Sequence, residues 1–267
     1  MDKKASFIPR GLYPLRTKRI FTISAVVVIG FYLLSSIITE SFIIDFFIKI
    51  PNIFGLIGDF FPPDWGYVEQ IWPKLFETIH MAIIATTLAV LISIPFSLLA
   101  ARNVMTNSII YQFMRFILNI IRTIPDIILA VVFVGLFGIG AFSGIIALII
   151  FAVGILVKLM SEIIEAIDMN PTEAIRSTGG NALQTISYAI VPQILPPQFI
   201  SFSLYVFEIN IRASVVLGLV GAGGVGQLIN KEINFMNYPA VSTIVIIIFV
   251  VVVIIDFLSA KLREGLL

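Results

Sequence analysis

The sequence predicts an all-α, polytopic membrane protein with about six transmembrane helices. Three observations carry that reading. Of 267 residues, 59% are hydrophobic and only 12% are charged, whereas a soluble domain is about a quarter charged. Apolar runs of about 20 residues, long enough to cross a bilayer as helices, recur along the chain. Lys and Arg collect in alternate connecting segments, as they do in cytoplasmic loops. The chain has no cysteine, which excludes disulfides and thiolate chemistry. His80 is the one histidine, and it reads as a side chain near the membrane interface, not as a metal ligand or a base. The net charge of +1 says little by itself, and no nucleic-acid partner is expected.

Residues 1–19 carry Lys3, Lys4, Arg10, Arg16, Lys18 and Arg19 ahead of a first span, Ile20–Thr39. That span is too long for the core of a secretory leader and no small-residue cleavage site follows, so it reads as an uncleaved helix. Residues 40–77 form an external segment rich in aromatics. Within it Asp45 and Lys49 sit one turn apart on a short apolar run that Pro51 ends, the pattern of an interfacial helix. Phe61-Pro62-Pro63-Asp64-Trp65 is then a turn at headgroup level. The second span is Thr78–Ala100 and the third Ile127–Ile139. Ile127–Val157 is too long for one span and short for two, which places a tight turn between Gly138-Ile139-Gly140 and Ser143-Gly144. The fifth span is Phe199–Val220 and the sixth Ala240–Leu258.

Six spans put both termini on one side. With that side cytoplasmic, segments 1–19, 101–126, 158–197 and 259–267 hold thirteen of the seventeen Lys and Arg residues. Lys49, Lys74 and Lys231 lie outside, and Arg212 lies within a span.

The cytoplasmic segment 158–197 is an island of polar residues with helix punctuation. Asn170-Pro171-Thr172-Glu173 reads as a helix start, with Asn170 at the N-cap, Pro171 at N1 and Glu173 closing a capping box. Gly179-Gly180 supplies a left-handed stop after about Thr178. Asn181 recaps a second run, Ala182 to about Val191, whose far end Pro192, Pro196 and Pro197 punctuate. A helix of about two turns is not stable alone, so this one needs packing from the membrane domain or from a partner.

Two features of the fifth span stand out. Glu208, about 13 Å deep, and Arg212, about 20 Å deep, are spaced for an intrahelical ion pair. Charges at that depth are costly unless paired or facing water. The pair is therefore either structural or the lining of a water-filled path in which Arg212 attracts an anion. Asn210 points to another face, where it can bond to a neighbouring helix. A glycine cluster, Gly218 to Gly226, follows. Gly221, Gly223 and Gly226 spell GxGxxG, but no strand precedes them and no βαβ pattern follows, so dinucleotide binding is rejected. The glycines read as sites of tight backbone packing near the outer end of the pathway. No ATP site is evident, so the energy source is another subunit or an ion gradient.

Glu173-Ala174-Ile175, three residues, Gly179, then twelve residues to Pro192 resembles the EAA loop of ABC importer permeases. Here Ile175 replaces the second Ala, Ala189 stands for Ile and Val191 for Leu. Glu208-Ile209-Asn210-Ile211-Arg212 and the run from Val216 to Gly226 are similar to phosphonate-type permeases. So are Pro63-Asp64-Trp65, Ala101-Arg102-Asn103 and Arg122-Thr123-Ile124-Pro125. Methionine and osmoprotectant permeases have comparable glycine clusters.

The resemblance implies the type I importer permease fold, called MetI-like. It divides the chain into an N-terminal extension (1–72), a permease core (73–260) and a cytoplasmic tail (261–267). It implies a homodimer, an ATP-binding subunit that holds ATP and Mg, an extracytoplasmic solute-binding protein, and no cofactor in this chain. Asn170, Pro171, Glu173, Ala174, Ile175, Gly179 and Pro192 become the ATPase-coupling residues. Glu208, Asn210, Arg212, Gly221, Gly223 and Gly224 become translocation-pathway residues. Phosphite, a phosphate ester or another anion is an alternative substrate. An ion-coupled secondary transporter is a rival, and so is an intramembrane enzyme using Glu208, Asp126 or Asp256. For the enzyme, no carboxylate pair, HExxH or Ser/Lys motif is evident.

Overall fold

The computed structural model describes residues 15–194 and 198–265, and every regular element among them is helical. Lys3, Lys4, Arg10, Pro196 and Pro197 lie outside the described residues. The chain divides into two compact units between Gly58 and Asp59.

The first unit holds α1 (Leu15–Ile38) and α2 (Ile43–Asp59). At 24 residues, α1 is about 36 Å long and apolar on all sides, as a helix in lipid is. Asp45 accepts from the Phe42 N–H (3.0 Å) and so closes the start of α2. The expected stop at Pro51 is not found: α2 runs on past it to Asp59. The proline removes one N–H from the ladder, but the apolar run of Ile53, Phe54, Leu56 and Ile57 continues beyond it.

The second unit begins with a 3-10 turn (Trp65–Tyr67) and α3 (Val68–Leu99), ten residues earlier than the sequence predicts. Then come α4 (Ser108–Thr123), α5 (Asp126–Phe137) and α6 (Ala141–Ala166). The turn between α5 and α6 occupies Gly138–Gly140 only. Ser143 and Gly144 already lie in α6, and the Ser143 hydroxyl donates back to the Gly138 carbonyl at 2.6 Å. The short helices α7 (Asn170–Ser177), α8 (Ala182–Thr185) and α9 (Val191–Ile194) precede α10 (Ile200–Leu219), α11 (Gly224–Asn234) and α12 (Tyr238–Glu264).

Five segments are long and apolar enough to cross a membrane: α1, α3, α6, α10 with α11, and α12. A sixth is reached only by counting α4 and α5, which meet at 87°, as one broken span. The sequence reading placed α4 in a connecting segment.

Helices α3 and α6 run parallel. Met81 lies against Gly144, the Ser93 hydroxyl against the Met160 sulfur (3.8 Å), and Asn103 beyond the end of α3 bonds to the Ile164 carbonyl. Ala85, Ala89 and Ser93 form a small-residue stripe on α3, and Gly144, Ala147 and Ala152 are their counterparts buried on α6. Lipid supplies no hydrophobic push between helices, so close approach through small residues is what holds such a pair. Helix α10 is antiparallel to α3, because Asn210 bonds to Thr86 while Gly224 reaches back to Glu77, and to α12, because Glu208 meets Arg263 and Arg212 meets Asp256.

The glycine cluster is the junction of these helices. The Glu77 carboxylate accepts from Gly224 N–H (3.0 Å) and the Thr78 hydroxyl from Val225 N–H (2.8 Å), so α3 caps the start of α11. Gly140 N–H donates to the Gly221 carbonyl (2.9 Å), which ties in the α5–α6 turn. Gly218 and Gly226 face each other where α10 turns into α11; a Cβ on Gly218 would stand 2.5 Å from the Gly223 carbonyl oxygen. Gly218→Val should therefore cost about 1–3 kcal/mol or more by overpacking and lower Tm by about 4 °C or more. Gly135→Ala, with nothing within 4 Å, should leave Tm unchanged. Thermal unfolding of the two purified variants checks this, and equal melting would contradict the junction.

Candidate functional site

The predicted functional residues fall in three places. The first is α7. Its end is a complete Schellman motif: Gly180 N–H donates to the Ile175 carbonyl and Gly179 N–H to the Arg176 carbonyl, each at 3.0 Å, with Gly179 at φ +87°. Its start differs from expectation. Asn170 is already helical, Met169 precedes it with no side-chain cap, and Glu173 closes no capping box. The reason is one residue upstream: the Asp168 carboxylate takes the Asn170 N–H at 3.0 Å. The capping box occurs instead at the next helix, where Asn181 and Gln184 satisfy each other's backbone N–H groups at 2.8 Å. Ala182 to Ile194 then continues through a π-helical turn, Ile186–Ile190. Pro192 lies inside this run rather than after it, immediately following the widened turn. Of α7 only Thr172 is buried; Glu173 and Ala174 are exposed and Ile175 is half-buried.

The base of α7 is held by polar clamps from three elements. Asn103, between α3 and α4, donates to the Ile164 carbonyl at 2.5 Å and so caps the C-terminal end of α6. Glu165 accepts from Arg102 N–H (2.8 Å) and pairs with Arg115 of α4 (2.7 Å). Gln193 of α9 donates to the Asp168 carbonyl (3.1 Å) and to the Ala189 carbonyl (2.7 Å), joining both flanks of α7. None of these clamps was visible in the motif. Gln193 sits beside Pro192, however, and a long amide next to a helix-disrupting proline is the one local hint.

The second place is the seam between α10 and α12. Glu208 is 5% exposed, and its closest partner is Arg263 in the last turn of α12 (2.7 Å). The expected intrahelical partner, Arg212, lies 3.7 Å away and is shared with Asp256 at 3.6 Å. Two carboxylates and two guanidinium groups thus alternate across the seam and sum to zero charge. Sequence reading took Arg263 for part of a tail, because α12 was expected to end near Leu258. The signal was present: Asp256 and Arg263, seven residues apart, share one face of a helix, opposite an antiparallel helix bearing Glu208 and Arg212. Asn210 bonds across to Thr86 at 2.8 Å, as its position implied.

The third place is the junction of Gly221, Gly223 and Gly224, past the end of α10, which itself lies about 10 Å along the helix from Arg212. Gly223 and Gly224 are buried against Ala141, Glu77 and Thr78. The proposed pathway residues therefore do not form one site. Among the described residues no cluster of His, Asp or Glu has metal-binding geometry.

Residues 93–266 match the family model described as binding-protein-dependent transport system inner membrane component. The chain is 37% identical over 216 residues to a phosphite transport system permease protein of Stutzerimonas stutzeri, covering 80% of this chain and 78% of that one. It is 38% identical to a phosphate-import permease protein of Mycolicibacterium smegmatis over 79% of this chain. That match spans only 40% of the mycobacterial protein. A putative cryptic phosphonate transport system permease protein of Escherichia coli is 44% identical over 44% of this chain and 96% of its own. In fold the chain is similar to a permease chain of an inward-facing methionine ABC transporter, with TM-score 0.67 at 22% identity, covering 76% of this chain and 99% of the other.

The seam makes a specific prediction. Glu208→Gln leaves part-buried Arg263 without its carboxylate partner and should be the harshest single change, at about 1–3 kcal/mol, whereas half-exposed Arg212 should tolerate Gln. Adding Arg263→Gln to Glu208→Gln should restore folded protein; adding Arg212→Gln should not. Yield of monodisperse protein in detergent reads both pairs, and the opposite order of rescue would make Arg212 the main partner.

Proposed function

The chain belongs to the family of binding-protein-dependent transport system inner-membrane components, and we propose that it is the permease subunit of a type I ABC importer for phosphorus oxyanions, phosphonates foremost. The names of its relatives, phosphate, phosphite and phosphonate permeases, share one chemistry: a tetrahedral phosphorus bearing anionic oxygens. Arg212, exposed and only loosely tied to Glu208 (3.7 Å) and Asp256 (3.6 Å), is the cation of the seam that such an anion would meet, whereas Arg263 is held at 2.7 Å by Glu208.

The observation that carries the proposal is α7. It is a two-turn helix with a stop at its end, exposed on all residues but Thr172 and half-buried Ile175, and clamped at its base by three elements. An exposed helix this short needs a partner to rest in, and the EAA-like pattern points to the ATP-binding subunit as that partner. In this reading Glu173 is a presented contact, and Gly179 fixes the helix end. Two copies of the chain, two ATPase subunits that bind ATP and Mg, and an external binding protein form the transporter. Closure of the ATPase pair pushes α7; the clamps pass that motion to α6 and α9, and the spans alternate between outward and inward access. This chain performs no covalent step. Both termini and α7 are cytoplasmic, and the glycine junction faces out.

Three measurements test the proposal. Ser177→Cys should be labelled only from the cytoplasm and Asn234→Cys only from outside; labelling of both from one side would overturn the topology. Gly179→Val should abolish transport-coupled ATP hydrolysis, since a β-branched residue resists positive φ. Gln193→Glu keeps the size but turns an acceptor toward two carbonyls, weakening the clamp by about 1–3 kcal/mol. It should lower substrate-stimulated hydrolysis while the ATPase still co-purifies. Normal stimulation in both variants would reject the coupling assignment.

A further inference from the structure

Beyond the Arg115–Glu165 clamp, helix α4 has no role in the reading above, yet its surface is specialised. Met114 and Leu118 are buried, and Ile121 packs beside Gly154 of α6. A second stripe at helical spacing, Ile109, Phe113, Phe116 and Ile120, is exposed, with Phe116 62% exposed. From Ala101 to Pro125 the chain contains Arg102, Arg115 and Arg122 and no acidic residue. Arg115 is paired with Glu165. Arg102 and Arg122 are exposed and make no ion pair among the described residues. Beside Arg102 lies a groove of about 450 Å³ lined by Thr106, Ser108, Tyr111 and Gln112.

The geometry fixes how α4 sits. Helix α5 has 12 residues and reaches about 18 Å, well short of the ~30 Å hydrocarbon core. Helix α4 meets it at 87°. A helix lying across the end of α5 adds its own diameter of about 10–12 Å, and the two together match the core thickness. A water-exposed α4 would leave α5 too short and four large apolar side chains unburied.

We propose that α4 is an in-plane membrane helix that binds anionic phospholipid. Its stripe lies among the upper acyl chains, about 5–10 Å below the headgroups. Arg102, with the hydroxyl and amide groups of its groove, and Arg122 at the other end receive lipid phosphates. Charge complementarity selects the occupant: two free guanidinium groups flank an apolar face on a stretch without a single carboxylate. The inference does not rest on what the protein transports.

The cysteine-free chain allows a direct test. A nitroxide on Phe116→Cys, and separately on Ile109→Cys, is measured in full-length protein in nanodiscs. High accessibility to oxygen with low accessibility to a water-soluble nickel chelate is expected. Low accessibility to both means protein covers the face, and high accessibility to nickel means water does; either overturns the proposal. In the second arm, spin-labelled phosphatidylglycerol should associate more tightly than phosphatidylcholine. Arg102→Gln and Arg122→Gln should each reduce that preference about fivefold, the equivalent of ~1 kcal/mol per arginine near a membrane surface. Equal association of the two lipids with the unmodified chain, or loss of the preference on adding inorganic phosphate at constant ionic strength, would reject the phospholipid.

Discussion

The architecture depends on one constraint: in a hydrocarbon medium no backbone N–H or carbonyl can be left without a partner. Regular helices meet it internally. The breaks between helices do not, and here they meet it by satisfying one another. The Gly138–Gly140 turn and the Val220–Gly223 turn are joined by the Gly140–Gly221 bond, and Gln227 donates a second bond to the same Gly221 carbonyl at 3.0 Å. The first N–H groups of α11 go to side chains of α3. Glycine is required where these backbones touch, and Gly221, Gly223 and Gly224 at positive φ give turns that other residues rarely adopt.

The same logic explains the seam. An ionised group in a membrane domain is tolerated when a partner neutralises it and a helix neighbour shields it. Glu208 has both, through Arg263 and the packing of α10 against α12. Arg212 has weaker ties to two carboxylates and more exposure. Two arginines of similar sequence context thus take different jobs, because one guanidinium reaches hydrogen-bond distance and the other stops about an ångström further out.

Much of this was legible in the sequence, for reasons that residues supply. Apolar runs gave α1, α3, α6, α10 and α12, since each must cover a fixed thickness of lipid. Gly179 and Asn181 gave the end of α7 and the start of α8, since stops and caps are local. What failed was non-local or competitive. Asp168 displaced Glu173 because both could reach the Asn170 N–H, and the nearer carboxylate took it. Pro51 lost to an apolar face that continued past it. Helix α4 was missed because its apolar residues recur at helical spacing, between polar ones, and form no unbroken run. Arg263 was missed because its partner lies 55 residues earlier in the chain.

The closed C-terminal end of α7 bears on how often it can be used. The Ile175 and Arg176 carbonyls are satisfied by Gly180 and Gly179, and the following helix start by Gln184 and Asn181, all within the chain. A neighbour that seats on this helix therefore supplies no hydrogen bond to those last-turn carbonyls. When the neighbour withdraws, the helix loses side-chain contacts and regains water, but its own ladder remains whole. Such an element behaves as a reusable fitting: it can be gripped and released cycle after cycle without partial melting between strokes.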